Sequence, residues 1–109
     1  MTTTIHKFDI GPRDYTRLPV QGRVRAVGFD PAAGVSPRGD EGLVAWVERT
    51  DLTDAVTVVE DAPTETFSTL VIRVYGTGHA IPADAGRYVG TAVGRTFVWH
   101  VYASGEVDL

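Results

Sequence analysis

Three histidines, His6, His79 and His100, are the side chains in this 109-residue chain best suited to proton transfer near neutral pH. A locally encoded zinc site needs histidines or cysteines at short, fixed spacing, and no two of these histidines stand so. The serines (Ser36, Ser68, Ser104) lie in no Gly-x-Ser-x-Gly elbow. Asp9, Asp14 and Asp84 are of the right type for acid–base work, but no spacing pairs them. The chain has no cysteine, which excludes a disulfide framework, a thiolate nucleophile and any cysteine-held metal or iron–sulfur cluster. A site assembled in space from His79, His100 and a carboxylate is the one enzymatic alternative. The expectation is a non-enzymatic protein with no metal and no cofactor.

Binding chemistry is better represented. Gly76-Thr77-Gly78-His79 interrupts a strand pattern, and Pro82 opposes its continuation. Such a loop offers backbone N–H groups, the Thr77 hydroxyl and the His79 ring to an anion or a base. It is not a dinucleotide fingerprint, because Ile81 stands where the third glycine belongs. It is not a phosphate loop, because the Gly-Lys-Ser/Thr step is missing. A tight turn carrying a solvated histidine is the plainer reading. Beyond the loop, Arg87, Thr91, Trp99, His100 and Tyr102 add a cation, hydroxyls and rings. Arginine and amide groups suit phosphate, and aromatic rings suit stacking on a base. The expected ligand-binding set is Gly76, Thr77, Gly78, His79, Arg87, Thr91, Trp99, His100 and Tyr102.

A C-terminal β-hairpin would position these groups. Residues 87–93 and 96–103 are rich in β-branched and aromatic types, and Gly94-Arg95 between them suits a two-residue type II′ turn. That register places Val93 opposite Thr96 and Gly90 opposite Trp99. Tyr88, Gly90, Ala92, Phe97, Trp99 and Val101 then share the core face. Arg87, Val89, Thr91, Val93, Thr96, Val98, His100 and Tyr102 share the other. The second face is too apolar for plain solvent exposure, so it is expected to meet another sheet, a second subunit or a ligand.

Upstream, alternation marks strands over residues 3–10, 23–29, 43–49 and 67–75. Residues 30–42 are dense in Gly, Pro and Asp and read as a long loop. Residues 51–65, with five carboxylates, read as an acidic excursion whose stretch 55–59 can add a short strand. A single turn is expected near 82–86, and residues 104–109 form a tail. Six or seven short strands indicate an all-β fold: one antiparallel sandwich or barrel-like domain over residues 1–109. Its 43% apolar content suits a core of that size. No run reaches transmembrane length, and the first ten residues lack the pattern of a signal peptide. The expected compartment is the cytoplasm. A net charge of −4 argues against general nucleic-acid binding.

The set Ile5-His6-Lys7-Phe8, Val44-Ala45-Trp46-Val47, Gly76-Thr77-Gly78-His79, Tyr88-Val89-Gly90-Thr91 and Phe97-Val98-Trp99-His100-Val101-Tyr102 resembles a family of small uncharacterised proteins of tailed phages, including those of actinobacteria. The chain departs from that pattern at His6, where the family carries tryptophan, in its longer loops, and in its tail. The resemblance implies a phage genome and the cytoplasm of an infected host, and it implies no activity. With that setting, the expectation is an accessory protein that sequesters a nucleotide-like small molecule, such as a cyclic-nucleotide defence signal, as a homo-oligomer. The alternative is a protein-interaction or structural role for the same face.

Overall fold

Period-two alternation of apolar and polar residues governs most of the chain, and each such stretch becomes a strand with one face turned inward. The computed structural model describes residues 3–11, 13–35, 41–50, 70–94 and 97–107, with backbone alone for 31–35 and 41. Seven strands follow in order: β1 (Thr4–Gly11), β2 (Tyr15–Leu18), β3 (Gly22–Val35), β4 (Glu41–Arg49), β5 (Leu70–Gly76), β6 (Arg87–Val93) and β7 (Val98–Ser104). They form two antiparallel sheets, ordered β1-β4-β3 and β2-β5-β7-β6. The fold is a two-sheet sandwich and not a closed barrel. Among the described residues there is no helix.

Strand β5 shows how sequence becomes core. In Leu-Val-Ile-Arg-Val-Tyr-Gly, Leu70, Ile72 and Val74 are buried while Val71, Arg73 and Tyr75 face outward. Leu18, Val101, Ala103 and Ala92 complete the inner face of this sheet. Ile10, Val24, Leu43, Ala45 and Val47 meet them from the other, with Val27 and Phe29 alongside. Removing one of the largest of these, as in Ile72→Ala, deletes buried methylenes and leaves a cavity.

Three details differ from the sequence reading. Residues 30–35 belong to β3 and residues 41–42 to β4, where a long loop was expected over 30–42, and residues 36–40 lie outside the described set. Strand β2 was not expected. It is only four residues long, between Pro12 and Pro19, and its alternation (Thr16 and Leu18 in, Tyr15 and Arg17 out) is too brief to stand out. The acidic stretch 51–65 lies outside the described residues. The turn expected at 82–86 is present, closed by the Ala85 N–H donating to the Pro82 carbonyl at 3.1 Å.

The third difference is the hairpin register. The Gly94 N–H donates to the Phe97 carbonyl at 2.8 Å, so Gly94 and Phe97 pair across the turn. That pairing does not fit a two-residue loop at Gly94-Arg95, and residues 95 and 96 lie outside the described set. Val93 therefore pairs with Val98, Ala92 with Trp99 and Gly90 with Val101. A slip of two positions preserves the faces. A bulge at Val89 does not: it pairs Tyr88 with Tyr102 and Arg87 with Ala103. Tyr88 moves from the expected core face to the outer face, where it is 50% exposed. Arg87 moves the other way. Gly90 opposes no indole but admits Val27 of the facing sheet, whose Cγ2 would lie 3.3 Å from an added Cβ.

Candidate functional site

The outer face of the β2-β5-β7-β6 sheet collects the groups that can recognise a ligand. Reading the register across it, Tyr15 pairs with Arg73, Arg73 with Tyr102, and Tyr102 with Tyr88. The next row holds Tyr75, His100 and Thr91. All four tyrosines of the chain thus lie on one face. Arg17 and Arg73 share it, and no carboxylate is among its described strand side chains. In a chain of net charge −4 that is a marked segregation.

Ring contacts fix the tyrosines. Tyr102 sits between two neighbours, its centroid 5.6 Å from Tyr75 and 5.5 Å from Tyr88, both edge-to-face. Each such pair adds about 0.5–1.5 kcal/mol beyond its buried area and holds the rings in place before any ligand arrives. The Arg73 guanidinium lies 5.9 Å from the Tyr15 ring centroid. Its Nη1 donates to the Asp84 carbonyl at 2.9 Å, and the Asp84 carboxylate stands 4.0 Å away at the rim.

A hydroxyl–imidazole chain crosses the same face. The Thr77 hydroxyl meets His100 Nε2 at 2.9 Å, the Thr91 hydroxyl meets Nδ1 at 3.0 Å, and the Tyr88 hydroxyl bonds Thr91 in turn. A neutral imidazole has one donor and one acceptor, and a hydroxyl fills either role, so both ring nitrogens are satisfied. The ring is thereby fixed through both nitrogens.

The nine residues singled out in the sequence fall into three groups. Thr77, Thr91, His100 and Tyr102 come together on the outer face. Gly76, Gly78, His79 and Trp99 belong to one end of the sandwich: Gly76 pairs with Trp99, and both the His79 ring and the indole would lie 3.6 Å from an added Gly76 Cβ. Gly78, at φ +89°, makes the turn possible, and the His79 N–H closes it onto the Gly76 carbonyl at 3.2 Å. The indole stacks on Phe97 at 5.4 Å, and its buried Nε1 has no partner among the described residues. Arg87 stands apart. Its Nε and Nη2 donate to Glu106 at 2.8 Å, and Nη2 also donates to the Val24 carbonyl at 2.9 Å.

Arg73 and Tyr75 were passed over in the sequence, although the alternation of β5 puts them opposite its buried residues. Tyr15 and Arg17 needed β2 to be recognised first. Among the described residues, no group of three or more His, Cys, Asp or Glu is placed to hold a metal, and no helix is long and apolar enough to cross a membrane. No curated protein and no solved structure matches the chain. One family model does, over residues 1–108, and by that match the chain belongs to the family described as Domain of unknown function (DUF7352).

Proposed function

We propose that this protein is a non-enzymatic binding module that takes a nucleotide-like small molecule on the outer face of the β2-β5-β7-β6 sheet. The observation that carries this reading is the segregation of four tyrosines, Arg17, Arg73 and His100 onto one face of an acidic chain, with no carboxylate among its described strand side chains and Asp84 only at the rim. Tyrosine and imidazole rings stack on bases of any sequence, and guanidinium groups pair with phosphate. Under the phage setting that the sequence resemblance implies, such a protein would act in the infected cell by sequestering a signalling nucleotide.

Native mass spectrometry and calorimetry with a panel of linear and cyclic nucleotides test this directly. Tyr102 is the hub of the ring cluster, so Tyr102→Ala should weaken nucleotide binding by tenfold or more while the far-ultraviolet spectrum stays unchanged. Stacking of one base is worth about 1–3 kcal/mol, which sets that scale. Equal affinity in the variant and the parent would remove the face from consideration.

A second reading has its own observation. Val93, 72% exposed, pairs with Val98 and continues the face toward the hairpin tip. Tyrosines bordered by exposed aliphatic residues also make protein interfaces. If the face joins copies of the chain, Tyr102→Ala will lower the oligomeric mass in light scattering and the protein will capture no nucleotide.

A further inference from the structure

Building on the reading of this face as a nucleotide site, we infer that it is laid out for two bases joined through a phosphate: a dinucleotide unit rather than a mononucleotide. The argument comes from the row Tyr15–Arg73–Tyr102–Tyr88, four residues in register across four neighbouring strands. Neighbouring strands lie about 4.8 Å apart, so Tyr15 stands roughly 10 Å from Tyr102 and roughly 14 Å from Tyr88. One base stacked at Tyr102 cannot also cover Tyr15. The row therefore has two aromatic stations with a cation between them.

Each station is built differently. At one end Tyr102 is braced by Tyr75 and Tyr88 in edge-to-face contacts, leaving Tyr88 half exposed. At the other, Tyr15 is half exposed on the edge strand, with the Arg73 guanidinium over one face of its ring at 5.9 Å from the centroid and the other face left for a base. A planar guanidinium has five N–H donors, and one of them, on Nη1, is given to the Asp84 carbonyl. The others can meet a phosphate in the paired geometry that arginine favours, once the exposed Asp84 carboxylate, 4.0 Å from Nη1, turns out to solvent. A ring, a phosphate and a ring in sequence match tyrosine, arginine and tyrosine in sequence. A mononucleotide would engage Arg73 and one station only.

Such a unit can come from a free dinucleotide or from a step within a single strand. The net charge of −4 disfavours a long polyanion, whose further phosphates would leave the two-arginine face.

The test compares three probes by calorimetry at one ionic strength: adenosine monophosphate, adenylyl-(3′→5′)-adenosine and a ten-residue oligoadenylate. The dinucleotide should bind at least tenfold more tightly than the mononucleotide. Tyr15→Ala should bring the dinucleotide down to mononucleotide affinity, whereas Tyr102→Ala should weaken both probes. A decamer no tighter than the dinucleotide points to a free dinucleotide as the source, and a much tighter one points to a strand. Equal affinities for the first two probes, with Tyr15→Ala silent, overturn the two-station layout and leave a one-base site standing. Failure of every probe to bind overturns the nucleotide reading itself.

Discussion

Glu106 spends its carboxylate on the backbone of a strand in the other sheet. Its Oε2 accepts the Val24 N–H at 2.9 Å, while Arg87, bound to the same carboxylate, donates to the Val24 carbonyl at 2.9 Å. Together the two side chains stand in for a neighbouring strand at that residue. Burial pushes the Glu106 carboxyl up, but the hydrogen bonds from Arg87 and Val24 and the charges of Arg87 and Arg23 outweigh it and hold it below the usual carboxylate range. The same pairing raises Arg87, so its cation is secure. A carboxyl lowered by folding contributes stability above its unfolded pKa, and that contribution disappears as the pH falls through the folded value. Glu106→Gln should therefore lose about 1–2 kcal/mol at pH 7, the scale of a charged hydrogen bond partly replaced by a neutral one. In urea melts the gap between parent and variant should close below about pH 4. A gap that stays constant from pH 7 to pH 3 would show that the charge contributes nothing.

Strand β6 is where single positions decide an element. Gly86, which leads into it, has φ +106°, and an added Cβ would sit 2.3 Å from the Ala103 carbonyl oxygen. Neither the dihedral nor the approach tolerates a side chain, so Gly86→Ala should cost about 2–4 kcal/mol, measured by urea or thermal melts. Loss of less than half that would mean the 82–86 turn can re-form elsewhere. The bulge at Val89, by contrast, left no mark in the sequence. Arg-Tyr-Val-Gly-Thr-Ala-Val reads as unbroken alternation, and only the packing of Gly90 against Val27 and the pairing of Tyr88 with Tyr102 reveal the extra residue. The expected faces held from Gly90 onward and reversed at Tyr88 and Arg87. A second bulge at Arg25 likewise turns both Val24 and Val27 inward, against the alternation expected of β3. Strands β1, β4, β5 and β7 were legible because their alternation is long and regular. Of the candidate face, the sequence pointed to His100 and Tyr102 on β7, Thr91 on β6 and Thr77 in the loop, and missed what rests on the four-residue β2 or on a bulge.

At the scale of the molecule, the sheets are open where β3 approaches β6, and the segment after β7 closes that seam. Gly105, at φ +72°, turns the chain from one sheet toward the other. The Glu106 carboxylate then binds Arg87 and the Val24 N–H, and the Val107 N–H donates to the Gly22 carbonyl at 3.1 Å. What reads in the sequence as a tail from residue 104 includes the last residue of β7 and two groups that occupy the edge of β3. An unpaired edge strand carries backbone groups that recruit other chains, and natural sheets protect theirs. Ending the chain after Ser104 leaves β7 whole but removes this cover. It takes away one backbone hydrogen bond and the charged clip, a loss of about 2–4 kcal/mol at the usual size of such bonds. The truncated protein should melt earlier and associate more readily on warming, followed by light scattering. The described hydrogen bonds of the removed segment go to Arg87, Val24 and Gly22, and none of these three belongs to the outer face. Nucleotide affinity measured well below the melting temperature should therefore match that of the full chain. An equal melting temperature would show that the seam holds without its clip. An affinity that falls along with stability would mean that closing the seam shapes the face that binds.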